Sequence, residues 1–138
     1  MEKQIEFSWP VRVYYEDTDA GGVVYYANYL KFLERARTEY LRGLGFEQDQ
    51  LKQEYGIIFA VHSLSIQYQK PALFNDALTV TAMIIDQGRA RLTFKQMIIR
   101  DKDNTRICSA EVTIACLNAD TFSPARIPAQ IEEVLHGN

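Results

Sequence analysis

The sequence is poor in the residues that most often announce a chemistry. Two cysteines and two histidines occur in 138 residues. Cys108 and Cys116 stand in what reads as one strand, where about 3.3 Å per residue would hold them roughly 26 Å apart, beyond disulfide reach. With only His62 and His136 to join them, no zinc-like spacing exists, so no metal is expected and both cysteines read as small core residues. There is no P-loop, G-x-S-x-G elbow or G-x-G-x-x-G turn. A net charge of -3 offers no basic face for nucleic acid. No apolar run approaches the roughly twenty residues of a membrane helix, so no membrane insertion is expected. The opening MEKQIEFSWPVRV carries charges where a signal peptide has its apolar region. A cytoplasmic location is the resulting expectation.

What the chain does have is ordinary globular composition, 47% hydrophobic and 24% charged, in a length suited to one domain spanning residues 1–138. No internal repeat, low-complexity tract or linker interrupts it. Phe7 to Tyr15 is rich in β-formers and alternates imperfectly, which predicts a first strand, with Pro10 either placing it at an edge or making Val11 its true start. From about Tyr26 to Gly43 the spacing turns helical: Tyr26, Tyr29, Leu30, Leu33, Tyr40, Leu41 and Leu44 recur at threes and fours. Asn28, Lys31, Arg35, Thr38 and Arg42 line the other side. Glu47 to Tyr55 reads as a short second helix. After Gly56 come Ile57 to Val61, an alternating stretch through Tyr68, and then Ala77 to Asp86, Ala90 to Arg100 and Thr105 to Asn118. The short separators Gln87-Gly88-Arg89 and Asp101-Lys102-Asp103-Asn104 make the last three antiparallel neighbours. The tail carries Pro124 and Pro128, then a short amphipathic piece ending at His136.

One strand, a long helix and four further long strands give an α+β class, an antiparallel sheet curled around one central helix. Ile57 to Val61 and Met83 to Ile85 are apolar on both faces. A single helix cannot cover both, so an obligate oligomer is expected.

The chemistry concentrates in Tyr15-Glu16-Asp17-Thr18-Asp19-Ala20-Gly21-Gly22-Val23-Val24-Tyr25-Tyr26. By type and position, Asp17, Thr18 and Asp19 are turn and cap residues. Three features favour chemistry instead. The acids crowd together; the glycine pair lets backbone approach a ligand; and Val23 to Tyr26 offer an apolar wall. Composition and spacing leave Asp17 and Asp19 open as the working carboxylate. The Tyr26 N–H, at the first turn of the helix, has no intrahelical acceptor and could bind a developing oxyanion, a donor worth on the order of 3 kcal/mol. His62 is a weaker general-base candidate, and Arg89, Arg91, Lys95 and Arg100 give the later strands a basic bias that a phosphate-rich ligand could use.

The run YEDTDAGGVVYYANY, followed by FLERARTEYL, resembles the hydroxybenzoyl-CoA thioesterase family of hotdog-fold enzymes, and is most similar to its YbgC-type, Tol-Pal-associated acyl-CoA thioesterases. WPVRVYYEDTD, Tyr68, Pro71-Ala72 and Glu111-Val112 extend the likeness along most of the chain. The resemblance implies a five-stranded sheet wrapped around a long helix, subunits paired as homodimers or homotetramers, and hydrolysis of acyl-CoA without metal or cofactor. It places the catalytic carboxylate at Asp19 and the carbonyl-polarising amide at Tyr26, where many YbgC-type sequences carry histidine and this chain has tyrosine. Gly22, Val23, Tyr25 and Tyr29 are then the expected acyl-pocket residues, with Asp17 holding the loop. A hotdog hydratase relying on His62, and a non-enzymatic partner of an envelope or lipid-synthesis complex, are the alternatives.

Overall fold

The computed structural model describes residues 6–137. The opening residues 1–5, the side chain of His136 and Asn138 lie outside what is described. In chain order the elements are β1 (Phe7–Arg12), α1 (Asn28–Gly43), α2 (Gln48–Tyr55), β2 (Ile57–Tyr68), β3 (Ala77–Gln87), β4 (Arg91–Arg100), β5 (Thr105–Asn118) and α3 (Ala129–Gly137). The strands form one five-stranded antiparallel sheet in the order β1-β3-β4-β5-β2. The α+β arrangement of helix and antiparallel sheet is therefore as expected, including the β3-β4-β5 meander set by two short turns.

The helix α1 lies against β3 and β1. Its spacing buries Tyr29, Phe32, Leu33, Ala36 and Leu41, of which Tyr29, Phe32, Leu33 and Ala36 join Leu78, Val80, Leu92, Phe94, Ile98 and Val112 of the sheet in one core. Two polar groups go inside with them, against the pattern. Arg37 is buried and donates from Nη1 to Gln96 Oε1 at 2.9 Å. Gln96, fully buried, gives its Nε2 protons to the Leu33 and Thr81 carbonyls at 3.0 and 3.2 Å. All the polar groups of that amide are answered, as a buried network requires. Burial lowers the Arg37 pKa from its ordinary 12.5. Leu30, counted with the apolar side from its spacing, is instead exposed.

Two boundaries differ from the sequence expectation, and one strand carries an irregularity. The first strand stops at Arg12, and Tyr15–Asp17 form a single 3₁₀ turn instead of continuing it. The helix starts at Asn28, two residues after Tyr26, because the preceding turn is closed by i→i+3 bonds. Ile57–Val61 and the alternating stretch after it are one strand with a register shift between Val61 and Ser63, so His62 sits at an irregularity of an edge strand. Gly56 takes φ 65°, the left-handed cap that ends α2 one residue before β2 begins. Cys108 and Cys116 are both buried, unpaired and on β5.

Candidate active site

The acidic loop is tied to itself and to the start of α1 by backbone bonds that separate its two aspartates. Asp17 is buried, and its Oδ2 accepts the Tyr14 N–H at 2.9 Å. Its carbonyl accepts two more donors, the Tyr25 N–H at 2.9 Å and the Asn28 amide Nδ2 at 2.8 Å. Asp17 is thus the pin between the 3₁₀ turn and the helix. Asp19 is exposed. Its N–H donates to the Val23 carbonyl at 2.9 Å, its carbonyl accepts the Gly22 N–H at 3.1 Å, and its Oδ1 accepts the Gly21 N–H at 2.8 Å. The second carboxylate oxygen carries no hydrogen bond among the described residues. The loop therefore aims one carboxylate inward and leaves the other at the surface, oriented by a glycine amide. Gly22 has φ 81°, a conformation other residues adopt only with strain, while a Cβ on Gly21 would lie 3.3 Å from Asp19 Oδ1.

At the helix start, Asn28, Tyr29 and Leu30 donate to the carbonyls of Tyr25, Tyr26 and Ala27 at 2.8, 3.3 and 3.2 Å. These bonds consume carbonyls and leave the amides ahead of them open: among the described residues, the Tyr26 and Ala27 N–H groups have no acceptor. The amide singled out from the sequence is free, although it lies in the turn before α1 and not inside the helix.

Beside it is an open hollow of about 250 Å³ lined by Val24, Tyr26, Tyr29, Tyr68, Gln69, Lys70 and Pro71. Of the expected pocket set only Tyr29 is there, next to Tyr26, the residue expected to supply the oxyanion amide; Gly22, Val23 and Tyr25 are not among the lining residues. Val23 is bridged to Leu73, and Tyr25 is half exposed with its ring 4.9 Å from that of Tyr26. The apolar wall expected from Val23 to Tyr26 is not one surface: Val24 points into the core while both tyrosines face outward. Tyr29 is buried, and its Oη accepts the Ala72 N–H at 3.0 Å. Burial raises its pKa above the ordinary 10.0, with the Ala72 amide pulling the other way, so the ring presents a neutral phenol. Tyr68 leans on Tyr29 with ring centroids 5.5 Å apart. His62 and the basic residues Arg89, Arg91 and Lys95 are not in this lining, and Arg100 is taken up by acids.

Sequence reasoning missed the far side of the hollow. Tyr68 showed as an alternating strand position and a point of family likeness but not as a pocket residue, and Gln69 and Lys70 carried no signal, because β2 meets the helix start through sheet topology. Asn28 was assigned to the polar stripe, yet it is buried and holds Asp17. A buried asparagine at a helix start, beside an acidic turn, is the pattern that could have marked it.

A family model described as the Thioesterase-like superfamily matches residues 13–135. The chain belongs to that superfamily. Its helix-and-sheet arrangement is the hotdog thioesterase fold. Within the superfamily it is similar to the acyl-CoA thioesterase YbgC of Haemophilus influenzae, 45% identical over 131 residues that cover 94% of each chain. The acyl-CoA thioester hydrolase YbgC of Escherichia coli is 43% identical over 125 residues, covering 91% of this chain and 92% of that one. Among solved structures, a probable thioesterase from Bartonella henselae superposes with a TM-score of 0.85 at 35% identity, covering 90% of this chain and 100% of the other. The thioesterase-like match spans the acidic loop as well as the helix start and the strand end that line the hollow; Asp19 itself is not among the lining residues.

Proposed function

We propose that this chain hydrolyses acyl-CoA thioesters to the free acid and coenzyme A, with Asp19 as the reacting carboxylate and the Tyr26 amide as oxyanion donor. The observation that carries the reading is the division of labour in the loop. Asp17 is buried, with its Oδ2 on the Tyr14 amide and its carbonyl on two further donors, whereas Asp19 is exposed, held by one glycine amide, and on the same short loop as an amide with no acceptor among the described residues. YbgC-type relatives at 43% to 45% identity support the substrate class.

Two routes use the same atoms. In one, Asp19 attacks the thioester carbonyl, a mixed anhydride forms, the thiolate departs and water opens the anhydride. In the other, Asp19 takes a proton from a water that attacks directly. In both, negative charge gathers on the carbonyl oxygen, and a pre-placed N–H at the start of a helix stabilises it there without reorganisation. Tyr26, Tyr29 and Val24 offer the acyl group apolar surface.

The test is release of free thiol from a panel of acyl-CoAs by wild type and Asp19→Asn. Wild type is expected to turn over at least part of the panel, and the variant to lose about 10²-fold or more. Undiminished turnover in Asp19→Asn would remove Asp19 from the mechanism. The assay is clean because burial pushes Cys108 up to about 12 and Cys116 up to about 11, which leaves neither thiol reactive in the folded protein.

The finer readings belong to the same proposal. The protein acts in the cytoplasm as a homodimer or homotetramer, and through its YbgC-type kinship it serves a Tol-Pal-associated envelope or lipid-synthesis assembly. Val61, Leu64 and Tyr68 are exposed on β2, whose ladder among the described residues pairs only with β5, which supports assembly between copies of this chain.

A further inference from the structure

Arg100, at the end of β4, is the basic residue that the strand pattern alone would assign to a solvated face. Its side chain is instead 13% exposed and reaches two separate segments. Nε lies 3.2 and 3.3 Å from the two carboxylate oxygens of Asp103. Nη1 donates to Asp76 Oδ2 at 3.1 Å and to the Pro71 carbonyl at 3.3 Å. Asp76, itself buried, uses the same Oδ2 to accept the Leu73 N–H at 2.9 Å. The segment from Pro71 to Leu73 is therefore held at both ends by one ion pair.

Between those ends, Ala72 is fully buried and turns both of its backbone groups the other way. Its N–H donates to Tyr29 Oη at 3.0 Å, and its carbonyl accepts the Val24 N–H at 2.9 Å. Leu73 is bridged to Val23, whose carbonyl accepts the Asp19 N–H at 2.9 Å. A continuous chain of hydrogen bonds thus runs from a guanidinium at one end of the sheet to the ring in the hollow and the stem of the acidic loop. A planar, permanently charged fork suits that task better than a flexible ammonium, because it meets several acceptors in fixed directions.

We propose that Arg100 is a positioning residue for thioester hydrolysis: with Asp76 it holds Pro71 to Leu73, and that segment holds Tyr29 and the Val23-Val24 stem of the Asp19 loop. The inference rests on the function proposed above. Displacing a catalytic group by about 1 Å can cost about 10²-fold in rate, and the path from Arg100 to Asp19 runs through the hydrogen bonds of Pro71 to Leu73 and the bridge between Val23 and Leu73.

The experiment compares Arg100→Ala, Arg100→Lys, Asp76→Asn and Asp103→Asn with wild type in two measurements. One is kcat and KM for thiol release. The other is the ring-carbon resonance of Tyr29 in isotope-labelled tyrosine, assigned with Tyr29→Phe. Arg100→Ala is expected to lower kcat by about tenfold to a hundredfold with KM changed by less than about threefold, and to shift the Tyr29 resonance. Arg100→Lys keeps a cation beside Asp76 without the fork and falls between. Asp103→Asn alters the outer partner, whose Oδ1 also accepts the Thr105 N–H at 3.2 Å, and stays within about twofold of wild type with Tyr29 unmoved. The proposal is overturned by an Arg100→Ala kcat within about twofold of wild type, by an unmoved Tyr29 resonance, or by an equal loss in Asp103→Asn. Should Arg100→Ala fail to fold, Arg100→Lys and Asp76→Asn decide by the same two measurements. If wild type releases no thiol from any acyl-CoA, the proposed function falls, and the Tyr29 resonance alone decides whether Arg100 holds the hollow.

Discussion

Asp17 and Asp19 stand one residue apart and meet opposite environments. The Asp17 carboxylate caps the Tyr14 amide from a buried position, so its removal leaves a donor without a partner and costs about 1–3 kcal/mol. Asp19 touches only the amide of an exposed glycine, and surface changes of that kind stay within about 0.5 kcal/mol. The two residues should therefore separate cleanly in chemical denaturation: Asp17→Ala destabilises by about 1–3 kcal/mol, while Asp19→Asn unfolds with wild type and loses turnover. An Asp17→Ala protein as stable as wild type would remove the pinning role. Composition and spacing alone left both acids open in one turn, and the family resemblance assigned the chemistry to Asp19. What distinguishes them is which backbone amides the loop folds onto them, and those amides belong to Tyr14 and Gly21.

At the scale of the element, β5 shows how a strand inside the sheet, paired with β4 on one side and β2 on the other, enforces chemistry on its residues. Cys108 and Cys116 project into the core, and burial raises both thiols, Cys108 from 9.0 to about 12 and Cys116 from 9.0 to about 11. The unfolded chain releases these protons near 9, whereas the folded chain keeps them, so the folded state holds more protons between those limits. Stability is then fully present below about pH 9 and falls as pH rises from there toward 12. Denaturation midpoints measured at pH 8 and at pH 10.5 should show this decline, and Cys108→Ala should flatten it. A slope unchanged in that variant would assign the decline to other groups. The helix α1 shows the converse: its periodicity was plain, yet it also buries Arg37, which Gln96 of β4 answers. That partner lies 59 residues away, so no local pattern could announce it.

The whole molecule is a sheet with two unlike edges. β1 is short and carries Pro10, which cannot donate to a neighbour. β2 is twelve residues long, exposes Val61, Leu64 and Tyr68, and among the described residues has a partner only in β5. Long apolar edges invite pairing with another chain. At 15.9 kDa per chain, light scattering should report a mass at least twice that value, and Leu64→Lys should shift it toward the single chain. A wild-type protein that runs as the single chain at working concentration would end the oligomer proposal. The same edge runs to Tyr68, Gln69 and Lys70 at the hollow, so assembly and site geometry are expected to change together in that variant.

Local physics set the class of each element, the α+β order and the address of the chemistry, because helical and strand periods, turn residues and an acid-glycine loop are written within a few neighbours of each other. The hotdog likeness was legible for the same reason, in the unbroken run from Tyr15 to Leu41. Three matters waited for the tertiary structure: which aspartate is buried, what faces the Tyr26 amide, and what Arg100 is for. Each depends on strands brought together in the order β1-β3-β4-β5-β2. That order places Arg100 over Asp76, and the end of β2 beside the start of α1. Contacts between residues dozens of positions apart are selected by the packing of the whole core, which no short stretch of sequence contains.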